Sequence, residues 1–209
     1  MEIYINEKPI NVEASNLLTF AQLLQKIETD LLQPVGEVLT HIQLNDRDLD
    51  ESAEADNQGL PIARVQSLKL RTATPQSLIL EGLQDAPDIL SEVHKILGEV
   101  LKAFSQSNDS KGYQEFVVVT DGLSWFNTIY TNALALFQET ILKNNLQQSV
   151  FVQESQKLSD ILNQILECQN SGDRTTLVDL LEYELQPVLK CLAEEVESFR
   201  ETLISGARG

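Results

Sequence analysis

The chain has 209 residues, 42% of them hydrophobic, and sets 32 acidic side chains against 15 Lys and Arg for a formal net charge of −17. That length allows one large domain or two small ones, and the apolar content is enough to build a core. The acidity disfavours nucleic acid and anionic lipid, both of which recruit Lys and Arg. No apolar run approaches the ~18 residues of a membrane span. The opening residues lack a basic segment followed by an apolar one, and Cys168 and Cys191 are too few for a disulfide framework. These features predict a cytoplasmic protein.

The hydrophobic period changes once, near Pro75. In MEIYINEKPINVEA, Ile3 and Ile5 share a face, Asn6-Glu7-Lys8 forms a turn, and Ile10 and Val12 return on the same face, with Pro9 at the start of the return strand. Thr19 then caps a helix whose Phe20, Leu23, Leu24, Ile27 and Leu31 form one apolar stripe, and Gln33-Pro34 ends it. In EVLTHIQLNDRDLD, Val38, Thr40, Ile42 and Leu44 alternate with Leu39, His41 and Gln43 before Asn45-Asp46 turns the chain. The acidic stretch from Asp50 to Gly59 reads as a surface loop. Leu68 and Leu70 of SLKLR lie on one face of a last strand.

The order strand, strand, helix, strand, loop, strand, together with Met1–Asn6, Leu23-Leu24, HIQLND (His41–Asp46) and SLKLR (Ser67–Arg71), resembles the β-grasp superfamily of ubiquitin and the bacterial sulfur carriers. The likeness spans about the first third of the chain and implies a β-grasp fold. Its relatives act through a free Gly-Gly carboxylate. Here Arg71-Thr72-Ala73-Thr74-Pro75 runs straight on into a helix, and Ser205-Gly206-Ala207-Arg208-Gly209 reads as a frayed helix end and not as a diglycine. Sulfur transfer and conjugation are rejected on that ground.

From Pro75 onward the period is 3.6. A short segment to Gln84 leads, or merges, into one that starts around Pro87 and carries Leu90, Val93, Leu97, Val100 and Phe104. Ser105 to Ser110 breaks the pattern. The next helix, about Tyr113 to Lys143, is apolar on more than one face; its Val117-Val118-Val119 also suits a strand, and Gly122 suits close approach of a neighbouring helix. A helix from about Val150 to Gln169 follows, then a break at Ser171-Gly172, then a helix capped by Asp173, within which Pro187 predicts a kink or a break. Long helices on short polar connections indicate an antiparallel bundle. The predicted architecture is α+β, with a β-grasp domain over 1–74 and a helical bundle over 75–209. The first part holds 12 acids and 6 bases and the second 20 and 9, so the charge is spread over both and forms no tail.

Catalytic motifs are missing: there is no G-x-S-x-G, P-loop or G-x-G-x-x-G. His41 and His94 stand apart, with no Cys or acid at ligand spacing, and read as structural or surface residues. In DLLEYELQP, Asp179, Glu182, Tyr183 and Gln186 fall on one helical face; Asp179, Glu182 and Glu184 are the candidates for a metal or for acid–base work, against the reading of a solvated face. Trp125, Phe126, Tyr130 and Tyr183 are candidates for a partner-binding cluster, against the reading of core. No cofactor is implied. The function these features support is a non-enzymatic interaction module, an adaptor or assembly accessory factor of a bacterial cytoplasm. Its sheet or a helical groove would present apolar surface to a protein partner, a basic one given the acidic rim, with homo-oligomerisation as a further possibility. The alternative is a metal-dependent or small-ligand enzyme that uses the acidic helix face.

Overall fold

Two tight turns organise the N-terminal strands. Asn6 and Glu7 (φ 48° and 65°) and Asn45 and Asp46 (φ 49° and 60°) each put two consecutive residues in the left-handed region, as a two-residue hairpin turn requires. The first joins β1 (Glu2–Ile5) to β2 (Lys8–Ile10) and the second joins β3 (Val38–Leu44) to β4 (Arg47–Leu49). With β5 (Ser67–Ala73) they form a five-stranded sheet in the order β2-β1-β5-β3-β4. β1 and β5 run parallel and the other neighbours antiparallel. The computed structural model describes residues 1–13 and 16–206. It divides into two compact units, Met1–Leu78 and Ile79–Gly209. The chain is therefore α+β, a small sheet unit followed by a helical one.

In the first unit α1 (Phe20–Ile27) is capped by Thr19, whose side chain accepts the Gln22 N–H. Phe20, Leu23, Leu24 and Ile27 are buried with Ile3, Ile42, Leu68 and Leu70 in one cluster, so α1 covers one face of the sheet. The stripe then departs from the sequence reading. Residues Glu28–Leu32 form a π-helical turn, which advances the inward position from i+4 to i+5. Leu32 is 3% exposed and Leu31 39% exposed. Leu32 is thus the core residue, and a 3₁₀ turn (Gln33–Val35) with Gly36 in the left-handed region ends the segment.

Two elements differ from the sequence reading of residues 45–59. Arg47–Leu49 is a strand, because a two-residue turn at Asn45-Asp46 brings it back against Ile42, Gln43 and Leu44. Residues Glu51–Asn57 form a helix, α2, where a loop was expected; Asp50 caps it by accepting the Ala53 N–H at 2.7 Å. With no buried residue, α2 gives no apolar period to read. The β3–β5 register also shifts between Leu39 and His41. This bulge leaves Val38 exposed and puts Leu39 against the core.

The second unit is built on α3 (Pro75–Ser105), α4 (Asp109–Leu136), α5 (Gln138–Lys143), α6 (Val150–Ser171), α7 (Arg174–Asp179) and α8 (Gln186–Gly206). Proline does not divide α3: Leu83, Ala86 and Leu90 are fully buried on both sides of Pro87, and packing offsets the one lost hydrogen bond. Glycines bring α4 close against α3. A Cβ on Gly82 would lie 2.7 Å from Ile129 Cδ1, on Gly122 2.5 Å from Val93 Cγ2, and on Gly112 2.6 Å from Phe104 Cε1. The pairs 82/129, 93/122 and 104/112 make α3 and α4 antiparallel. Phe151 near the start of α6 stacks on Phe199 near the end of α8, with ring centroids 4.4 Å apart. At the far end of α6, Gly172 in the left-handed region and Asp173, accepting the Thr176 N–H, turn the chain into α7.

Pro187 neither breaks nor ends the last helical segment. A π-helical stretch, Leu180–Leu185, precedes it, and the Gln186 N–H reaches back five residues to the Leu181 carbonyl. The wider turn accommodates a residue that cannot donate to Tyr183. Val117, Val118 and Val119 are helical, with only Val119 buried. Among the described residues no helix is long and apolar enough to cross a membrane, and Cys168 and Cys191 are free thiols. Ala207, Arg208 and Gly209, part of the segment read as a frayed end, lie outside the described residues.

The π-helical turn after α1 makes a specific forecast. Leu32→Ala will destabilise the first unit by about 2–5 kcal/mol, whereas Leu31→Ala will change it by about 0.5 kcal/mol or less. Urea unfolding followed through NMR signals of the sheet residues measures both; a larger loss at Leu31 would restore the unbroken α-helical stripe.

Candidate functional site

Strand alternation sorts the first unit into inner and outer rows. Tyr4, Lys69, Gln43 and Asp48 are successive cross-strand partners on β1, β5, β3 and β4. They form one outer row, on the face opposite Ile3, Leu68 and Leu44. His41 and Arg71 pair in the next outer row. These six residues, with Glu7 and Leu70, line an open depression of about 560 Å³. All of its lining residues but Leu70 carry a polar or charged group, and their carbon stems leave it apolar area as well.

The hairpin turn at Asn45-Asp46 gives the depression its central contact. Asp48 accepts from Gln43 Nε2 at 2.8 Å and from His41 Nε2 at 2.9 Å. His41 therefore has an acid beside it, contrary to the sequence reading; the signal was the two-residue turn, which sets 43 opposite 48. The Gln43 and His41 hydrogen bonds hold the Asp48 carboxyl below its ordinary range. At the rim, Lys69 donates to Asp46 at 2.8 Å, and this pairing raises the Lys69 ammonium above its ordinary value. Arg71 makes no ion pair or side-chain hydrogen bond among the described residues. The face thus combines a preorganised carboxylate with a guanidinium that has no direct side-chain partner and whose charge helps to lower Asp48.

The edges of the sheet are less suited to a partner than its face. In the first hairpin Ile5 and Lys8 close the turn, so Pro9, opposite Tyr4, is the β2 residue whose N–H would point outward. Proline has none. On β4 the same alternation leaves Asp48 alone facing outward. Neither edge offers a run of donors and acceptors for strand addition.

The helical candidates fall elsewhere. Phe126 and Tyr130 are core residues, 0% and 5% exposed, and Trp125 is half-buried against the same cluster. Burial pushes the Tyr130 phenol up. Tyr183, 68% exposed, is the one member of that aromatic set at the surface. Asp179, Glu182 and Glu184 are exposed, the latter two within the π-helical stretch, where helical spacing no longer keeps one face. Among the described residues no group of three or more His, Cys, Asp or Glu is arranged to hold a metal ion. His94 lines a small cavity of about 180 Å³ between α3 and α8.

Comparison with known proteins gives two matches. Residues 81–195, more than half of the chain, match the model of the family described as domain of unknown function DUF8042. Residues 1–74 match the TP0873 N-terminal domain. No curated protein and no solved structure matches the chain.

The Asp48 contacts set a pH dependence. Its folded carboxyl lies below its unfolded value near 3.9, so the pairing stabilises the first unit above about pH 4 and is lost as pH falls through the folded value. Carbon-detected NMR titration of Asp48 should place its midpoint below that of an ordinary Asp, and Gln43→Leu should raise it. An unshifted midpoint in the parent protein would mean that the hydrogen bonds do not persist in solution.

Proposed function

We propose, for a chain that belongs to the DUF8042 family, that the first unit is a β-grasp domain acting as a non-enzymatic protein-interaction module, and that the outer face of its sheet is the docking surface. The strand order β2-β1-β5-β3-β4 with a parallel β1–β5 pair supports the β-grasp reading, as does α1 over the inner face. The observation that carries the docking surface is the outer row of Tyr4, Lys69, Gln43 and Asp48 beside His41 and Arg71, open above a 560 Å³ depression. Closed edges leave this face as the accessible side of the sheet. Around it Glu7, Asp46 and Asp48 outnumber Lys69 and Arg71. That balance, within a chain of net charge −17, favours a partner with basic surface and speeds its approach. The module would serve as an adaptor or assembly accessory factor in a bacterial cytoplasm.

A photo-crosslinking amino acid at Tyr4 of the full chain, in its native cells, tests this directly. One protein adduct should form from Tyr4 and fade when Asp48→Lys is added, while the same probe at the exposed Tyr183 captures no such adduct. Identical adducts from both positions, or none from Tyr4, would contradict the proposed face. Turnover of a metabolite by the purified protein would contradict its non-enzymatic role.

A further inference from the structure

A second depression in the first unit has a different character. Arg47 ends an inner cross-strand row whose other members are Ile10, Ile3, Leu68 and Leu44. A guanidinium therefore stands at the rim of the core, where its row is otherwise apolar. An inward charge at an edge discourages strand addition, and Lys8 holds the matching place at the other edge. That device needs one charge, and β4 has a second beside it. Arg64, at the end of the 3₁₀ turn Ile62–Arg64, lines the same cavity of about 450 Å³.

The segments that carry the two arginines are tied to each other by the second hairpin turn. Asn45 Nδ2 donates to the Arg64 carbonyl at 3.0 Å, and Asn45 Oδ1 accepts from the Gln66 N–H at 2.7 Å. Asn45 thus ties the segment that carries Arg64 to the turn that carries Arg47. Neither guanidinium forms an ion pair or a side-chain hydrogen bond among the described residues, although acids outnumber bases 32 to 15 in the chain. Asp50, Glu51, Glu54 and Asp56 follow directly, and none of them lines the cavity. Two like charges face one cavity that supplies no counter-charge.

We infer that this cavity binds a small molecule bearing an oxyanion, a phosphate or carboxylate group held between Arg47 and Arg64. Each guanidinium offers parallel N–H donors that match two oxygens of such a group. Leu49 and Leu60, partly buried on the core, give an apolar wall for the body of the ligand. The volume lies in the range of small-molecule sites, about 300–1,000 Å³. This site is separate from the outer face: β4 sends Asp48 to one and Arg47 to the other.

The test is an NMR titration of the full-length ¹⁵N-labelled protein with sodium phosphate and, separately, sodium acetate, at ionic strength held constant with sodium chloride. At least one anion should produce saturable shifts at the Arg47 and Arg64 side-chain N–H signals and at the Gln66 amide; which anion saturates identifies the group. Arg47→Gln and Arg64→Gln should each raise the dissociation constant about tenfold or more, and Arg71→Gln, on the outer face, should leave it unchanged. Shifts with neither anion in the unaltered protein, or an affinity that survives in both variants, would overturn the inference.

Discussion

Two asparagines hold the first unit in register from the two ends of β5. At one end Asn6 exchanges hydrogen bonds with Thr72, Nδ2 to Oγ1 at 2.8 Å and the Thr72 N–H to Oδ1 at 3.0 Å. At the other, Asn45 Oδ1 accepts the N–H groups of Gln66 and Ser67. Each asparagine is also the first left-handed residue of its hairpin, so one side chain fixes a turn and aligns a distant strand. The alignment matters because strand side chains alternate. A slip of one residue would send Lys69 and Arg71 into the core and Leu68 and Leu70 to solvent. Burial of each leucine is worth about 1.5–3 kcal/mol, so the apolar alternation and the asparagine contacts enforce the same register.

The helical unit solves a different problem, joining long helices through short connections while tolerating proline. Arginines tie its ends. Arg174 donates to the Phe104 carbonyl at 2.7 Å, lies over the Phe104 ring and forms an ion pair with Asp109, which links the start of α7 to the α3–α4 turn. Arg200 donates to the Leu80 carbonyl and to Gln84, which links α8 to α3. A π-helical stretch ahead of Pro187 keeps Leu181 and Leu185 buried before it and Leu189 and Leu192 after it. The same stretch turns Glu182, Tyr183 and Glu184 outward.

What was legible in the sequence follows from which signals are local. Thr19, Asp173 and the Asn45-Asp46 turn act within a few residues, and each does what its chemistry indicates. Leu68 and Leu70 announce the buried face of β5 by alternation. The π-helical turns were not legible, because one extra residue per turn displaces a stripe without changing its composition; Leu31 and Leu32 are the same residue type. Residues 51–57 had no apolar period to reveal α2, and the three residues of β4 were too few to register as a strand. Missing β4 hid the site as well. Only with β4 in place do His41, Gln43 and Asp48 meet on one face while Arg47 goes to the other.

That partition of the sheet separates the two proposed sites, an outer row for a protein partner and an arginine pair at the rim of the inner face. The outer row depends on Lys69 and Tyr4 lying side by side across the parallel β1–β5 pair, with Leu68 and Leu70 turned to the opposite face. Side-chain nuclear Overhauser contacts in the full protein test this most directly. Contacts should run from the Tyr4 ring to Lys69, and from Leu23 and Phe20 of α1 to Leu68 and Leu70. Contacts from the Tyr4 ring to Leu68 or Leu70, or from Lys69 to Phe20 or Leu23, would contradict that arrangement.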